Sequence, residues 1–237
     1  LDSEILVSHL FNIPRESIYS KLKENLTSSK AKELQKLINR RVNKEPIAYI
    51  LNNKEFWSTN FYVDRSVLIP RPETEVLIDL ILSQINNKNN YFNILDIGTG
   101  SGCILVSLLK ELIKAKGIGI DKSSKAIAVA KKNSTSQHVD SRSSFKNINL
   151  ENIKFDKKFD LIVSNPPYLP DVSLKNLNLD IKLYEPKIAF EYLKKYGIEI
   201  PLLYRLGFTH NNCMGRCFKG GQKHFKTLLE NYPVQYS

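Results

Sequence analysis

Between Asn93 and Asp121 the sequence changes its apolar periodicity twice, and that change restricts the fold more than anything else in the chain. Asn93-Ile94-Leu95-Asp96-Ile97 reads as a short buried strand, Gly98-Thr99-Gly100-Ser101-Gly102 turns it, and Cys103 to Ile113 carries helical spacing. Lys116-Gly117-Ile118-Gly119-Ile120 is then a second strand, ending in Asp121. A strand, a helix and a strand so spaced make a right-handed crossover between parallel strands. The alternation continues on both sides. A helix runs from Glu73 to Ile85, another from Lys122 to Asn133, a weak strand lies at Phe145 to Ile148, and an apolar strand spans Asp160 to Ser164. The expected class is therefore α/β, with a Rossmann-like parallel sheet.

Chemistry is expected at the carboxyl ends of those strands, where open α/β sheets bind ligands. The glycines of the 98–102 turn permit a tight bend and close approach of backbone to a ligand, and Asp121, about 20 residues on, can accept the hydroxyls of a ribose. That spacing fits a dinucleotide and S-adenosylmethionine equally. The strand at 160–164 separates them, because it stops at Asn165-Pro166-Pro167-Tyr168. Prolines cannot continue a ladder, so the chain leaves the sheet there with Asn165 at its rim. The Asn165 amide oxygen and the Pro166 carbonyl offer acceptors to a visiting NH2 group. Such a holder suits methyl transfer to nitrogen and has no role in hydride transfer.

With these residues in view, positions 1 to about 190 resemble the release-factor glutamine methyltransferases, the HemK/PrmC family. Asp2-Ser3-Glu4-Ile5-Leu6 opens a helical amino-terminal part as in that family, and the segment from Arg40 to Ile50, with Glu45-Pro46 and Ala48-Tyr49-Ile50, resembles its "R…EP.AYI" stretch. The octet Leu68-Ile69-Pro70-Arg71-Pro72-Glu73-Thr74-Glu75 is the most specific part of the match. The resemblance implies an S-adenosylmethionine-dependent enzyme that methylates the side-chain amide of a glutamine in a peptide chain release factor. Its implied cofactor residues are Asp96, Gly98, Thr99, Gly100, Ser101, Gly102, Asp121, Asn149, Leu150 and Asn165. Asn165, Pro166, Pro167 and Tyr168 are the implied catalytic and substrate-holding residues, and Arg71 and Glu73 are expected to border the pocket. At 149–150 the family carries an acidic residue followed by an aromatic one; Asn149-Leu150 departs at both positions.

The chemistry is consistent with that implication. An amide nitrogen is a poor nucleophile, whereas a sulfonium methyl is already activated, so positioning must carry the rate. Acceptors at Asn165 and Pro166 would bind the two N–H bonds and favour a more pyramidal nitrogen, while Tyr168 stacks on the flat amide. A DNA or RNA adenine amino-methyltransferase could use the same holder on a flipped base. The third reading is a non-catalytic truncated or fused fragment.

The remaining organisation follows from local patterns. Residues 1–45 read as helices of a substrate-recognition domain, with Ile5, Leu6, His9 and Leu10 on one face and His9 packed there. Residues 46–72 read as a β-hairpin linker, with strands expected within Tyr49 to Val63, and 73–190 as the methyltransferase core. From about 191 the chain departs from the family, so the sheet is expected to be incomplete. The 191–237 tail is similar to the end of phosphoadenosine-phosphosulfate-reductase-like proteins. It gathers His210, Cys213, Cys217 and His224, but no metal is assigned to them.

Composition sets the outer limits. No apolar run approaches the ~18 residues of a membrane span, the acidic start is unlike a signal peptide, and three cysteines make no disulfide framework. A cytoplasmic location is expected. The net charge of +11 favours acidic partners, although lysines scattered with many asparagines also reflect an A·T-rich genome. Direct nucleic-acid binding is not expected.

Overall fold

The computed structural model describes residues 1–21, 26–149, 158–165 and 183–184. The tail from 191, with its four candidate soft ligands and its reductase-like resemblance, lies outside them, as does the expected incompleteness of the sheet.

The amino-terminal region is helical. Helix α1 spans Asp2–Phe11, α2 Ile18–Lys21 and α3 Ser28–Val42. Thr27 caps α3 by accepting a hydrogen bond from the Lys30 amide, which satisfies one of the donors a helix start leaves open. Arg41 of α3 meets Asp2 of α1 at 2.6 Å. Leu6 and Ile18 are buried, but His9 is exposed. It was expected on the packed face of α1, yet Leu6 alone of that helix is fully buried, so the helix turns too little of its surface inward to cover His9.

The linker begins differently from its sequence pattern. Tyr49 and Ile50, aromatic and β-branched, were expected in a strand, yet Ile47–Leu51 forms helix α4. Pro46 stands before its first turn with a backbone preset for helix entry. The side chain of Arg40 donates to the Tyr49 and Ile50 carbonyls, which occupies acceptors at the helix end. Arg40 is itself held by Glu45 through two bonds of 2.8 Å, and Arg65 approaches the same carboxylate at 3.0 Å. These cations hold Glu45 below the usual carboxylate range, Arg40 most of all. The hairpin follows, with β1 at Lys54–Phe56 and β2 at Thr59–Phe61 paired antiparallel. Its two-residue turn puts Trp57 and Ser58 at φ of 49° and 50°, the left-handed pair that a hairpin of this length requires. Glu75 accepts from the Trp57 amide and Glu111 from the indole N–H, fastening the turn from two sides.

The larger core is a parallel sheet with helices packed on it. Helix α5 is Glu75–Ser83, β3 Asn93–Ile97, α6 Cys103–Glu111, β4 Lys116–Asp121, α7 Ser124–Ser136, β5 Ser143–Asn147 and β6 Leu161–Ser164. Among the described residues the strand order is β5-β4-β3-β6, and every pairing is parallel, as the alternating pattern predicts. Helix α6 is buried from Cys103 to Leu109 because α5, α7, β3 and β4 all contact it. Leu105, Leu108 and Leu109 are each 0% exposed, and truncating any of them to alanine would cost about 2–5 kcal/mol. Gly117 and Gly119 make that closeness possible. A side-chain carbon at Gly117 would fall 2.3 Å from Leu105, and one at Gly119 2.6 Å from Phe145. A second cluster, Tyr49, Val63, Val67, Ile69, Ala126 and Val129, packs the linker onto α7. No helix among the described residues is long and apolar enough to cross a membrane.

Candidate functional site

Parallel register decides which loops meet. Ile97 pairs with Ile120 on one side and with Ser164 on the other, so Gly98, Asp121 and Asn165, the next residue of each strand end, emerge side by side. Asp121 in turn stands opposite Asn147. The Asn147 side chain and the Ile148 amide donate to the Asp121 carbonyl at 3.0 and 3.1 Å, which carries half-buried Asn149 to the same carboxyl edge.

The glycine turn lies over this edge. The amides of Gly98 and Thr99 both donate to the Ile120 carbonyl at 2.9 Å. Gly98 and Gly100 have φ of 72° and 55°, a region that side chains strain to occupy. A side-chain carbon at Gly98 would meet nothing within 4 Å, and one at Gly100 only the Gly98 carbonyl at 3.9 Å. The bare backbone therefore presents an open face that a flat ligand can approach. Gly102 differs, since a carbon there would sit 3.1 Å from Ala130; its bareness serves the packing of α6 on α7.

Two carboxylates flank the turn in unlike environments. Asp121 is half-buried and accepts the Gly100 amide at 3.0 Å through Oδ2 and the Ser123 amide at 2.9 Å through Oδ1. Each oxygen keeps a further lone pair, so the group is oriented and can still accept a hydroxyl. Asp96 is 1% exposed; its Oδ2 accepts the Thr99 hydroxyl at 2.6 Å, and among the described residues its Oδ1 has no hydrogen-bond partner. Burial pushes the Asp96 carboxyl up to about 6, against the pull of the Thr99 hydroxyl and the Leu105 amide, with negative Asp121 adding to the rise. Burial also pushes the Cys103 thiol up to about 12, which leaves it unreactive.

Asn165 is oriented from a distant part of the chain. Its Nδ2 donates to Thr74 Oγ1 at 2.9 Å, and among the described residues its Oδ1 accepts nothing. The strand end beneath it is pinned by Ser164, whose hydroxyl donates to the Ile97 carbonyl. Thr74 is 4% exposed and closes the short 3-10 turn Pro72–Thr74, which Pro72 preorganises. Arg71 and Glu73 sit on this turn, both half-buried.

The structure thus gathers Asp96, Gly98, Thr99, Gly100, Ser101, Gly102, Asp121, Asn149 and Asn165 along one edge and brings the Arg71–Glu73 turn to it. Leu150, Pro166, Pro167 and Tyr168 lie outside the described residues. Two residues that sequence reasoning passed over belong to the assembly. Thr74 was read only as part of a motif, and Asn133 as the end of a helix. The signal for Asn133 was a polar residue on the apolar side of α7, where it is 0% exposed. A cavity of about 700 Å³ lies elsewhere, lined by Arg40, Glu45, Tyr62, Arg65, Lys125 and Lys132 among others, and shares none of the edge residues.

Comparison with known proteins adds relatives to this geometry. The model of the methyltransferase small domain family matches residues 74–196, and that of the PrmC N-terminal domain matches residues 1–51. A bifunctional methyltransferase of Rickettsia prowazekii is 40% identical, covering 84% of this chain and 42% of its own length. The release factor glutamine methyltransferase of Buchnera aphidicola from Baizongia pistaciae is 41% identical, over 80% of this chain and 67% of its own. That of Buchnera aphidicola from Schizaphis graminum is 37% identical, over 85% and 72%. The chain thus spans less than half the length of the bifunctional relative.

Proposed function

The chain belongs to the release factor glutamine methyltransferase family, and on that premise we propose that it transfers a methyl group from S-adenosylmethionine to the side-chain amide of a glutamine in a peptide chain release factor. The observation that carries this reading is Asn165, placed in register beside Gly98 and held there by Thr74. An oriented side-chain oxygen next to an open glycine face suits one amide N–H approaching one bound donor.

The residues present fit such a donor. The bare backbone of Gly98 and Gly100 would take a flat group, the Asp121 carboxylate would accept ribose hydroxyls, and Asn149 is proposed to meet the adenine edge. When bound, the donor supplies a methyl on sulfonium that is already electrophilic. Asn165 Oδ1 accepts one N–H of the substrate amide and so aims the nitrogen lone pair; the Pro166 carbonyl is proposed for the second N–H, Pro167 for the rigidity of the turn and Tyr168 for stacking on the amide plane. Positioning carries the rate and no strong general base is required: the methyl–sulfur bond would break as the C–N bond forms, and the nitrogen, acidic only then, would release its proton to water. Arg71 and Glu73 are proposed to border the substrate, and the helices of residues 1–45 to recognise the release factor, whose work on the ribosome places the enzyme in the cytoplasm.

The test is transfer of labelled methyl to a release factor, to the same factor with its acceptor glutamine changed to asparagine, and to duplex DNA. Labelling of the first alone supports the reading. Labelling of DNA, or equal labelling of both factors, overturns it. Calorimetric titration with S-adenosylmethionine reports separately whether the chain binds donor at all.

A further inference from the structure

Thr74 and Asn165 lie 91 positions apart and meet through a single bond of 2.9 Å from the Asn165 amide nitrogen to the Thr74 hydroxyl oxygen. An asparagine amide has two ends of nearly equal shape and opposite hydrogen-bonding sense, a donor NH2 and an acceptor oxygen. Whichever end faces a substrate decides what that substrate must offer. A presented oxygen selects an N–H donor, such as a primary amide or an amine. A presented NH2 selects a carbonyl or carboxylate. At the end of β6, one residue past the last described pair between β3 and β6, Ile97 with Ser164, the side chain would rotate between these states unless something engaged one end.

From this geometry we infer that Thr74 is a positioning residue: it engages the NH2 end of Asn165 and so makes the site an acceptor of N–H groups. Three observations support it. Thr74 is 4% exposed, so water does not compete for its hydroxyl. The turn that carries it is fixed on both sides, by the Thr74 amide bonded to the Arg71 carbonyl at 3.0 Å and by Glu75 bonded to the Trp57 amide at 2.8 Å. The other end of the amide, Oδ1, has no partner among the described residues. A threonine hydroxyl can accept or donate; here its oxygen accepts from Asn165 Nδ2, and the exchange rate of that NH2 reads this sense directly. The inference rests on the amide-methylation reading for its catalytic consequence, but the orientation of Asn165 can be measured without it.

The experiment compares Thr74→Val, which keeps the branched shape and removes the oxygen, with Thr74→Ser, which keeps the oxygen. Thr74→Ala serves in place of valine should that variant not fold. The first readout is proton exchange of the Asn165 side-chain NH2 in the 15N-labelled, ligand-free protein. The expected result is slow exchange in wild type and Thr74→Ser and at least ~10-fold faster exchange in Thr74→Val. The second readout is methyl transfer to release factor, with kcat expected to fall ~10- to 100-fold in Thr74→Val, to recover most of its value in Thr74→Ser, and with donor affinity unchanged in both. Equal exchange in wild type and Thr74→Val overturns the inference, as does an equal loss of kcat in Val and Ser, which would make the role one of packing. Should wild type label no release factor while the exchange pattern holds, the proposed substrate falls and the positioning by Thr74 stands.

Discussion

Asn133 Nδ2 donates to the Ser101 carbonyl at 2.8 Å, and through this bond a residue near the end of α7 holds the glycine turn in place. The same side chain donates to the Tyr62 carbonyl at 2.9 Å and accepts from the Tyr62 amide at 2.7 Å. It therefore serves Tyr62 as a strand neighbour would, and joins the linker to the ligand-facing loop through one buried group.

Asn133→Ala should remove all three bonds and leave buried polar groups at Ser101 unpaired. The expected loss is about 2–4 kcal/mol, which for a chain of this size lowers the melting temperature by roughly 5–15 °C. Donor affinity should weaken as well, since the turn loses its anchor. A calorimetric melting scan that moves by less than a degree would show that neighbouring packing, not Asn133, holds the turn.

Asn165→Ala should leave donor binding near its wild-type value and cut methyl transfer ~100-fold or more, the scale of losing one positioned hydrogen-bonding group. Single-turnover kinetics at saturating donor separate the two effects. Retained transfer in the variant would remove Asn165 from the chemistry.

Asp121→Ala should weaken donor binding by about 1–3 kcal/mol. The Gly100 and Ser123 amides lose their acceptor along with any bound hydroxyl, so the turn should also become more open to hydrogen exchange at Gly100. Isothermal titration giving equal affinity for both proteins would place the ribose contact elsewhere.

Asp96 should make stability depend on pH in the unusual direction for a carboxylate. Its folded value of about 6 lies above the ordinary 3.8, so the folded protein holds this proton more tightly than the unfolded chain. The contribution is complete below about pH 4 and is lost as pH rises through about 6, amounting to about 3 kcal/mol in all. Asp96→Asn should gain stability relative to wild type at pH 7.5 more than at pH 4.5. Urea midpoints whose difference between the two proteins stays constant across that range would refute the assignment.

The strands and helices from 75 to 164 were legible because their signals are local. A buried helix such as α6 and a five-residue strand such as β3 each declare themselves within one or two turns of chain, and glycine at 98 and 100 marks a backbone bend that few other residues tolerate. Helix α4 was misread for the complementary reason. Its β-like composition was overridden by Pro46 at the entry and by Arg40 on its last carbonyls, and the second of these is a contact that composition does not encode. His9 carried the right spacing for burial, but α1 buries only Leu6 fully, and spacing does not say how much of a face is covered.

By itself the sequence determined the parallel sheet and the carboxyl edge at which Gly98, Asp121 and Asn165 emerge, because alternating periodicity and turn residues act over a few neighbours; the order β5-β4-β3-β6 came from the structure. Only the tertiary structure decided which polar groups complete that edge. Thr74 reaches Asn165 across 91 positions and Asn133 reaches Tyr62 across 71, and a hydrogen bond depends on separations within about 3 Å in space, a distance that position along the chain does not set.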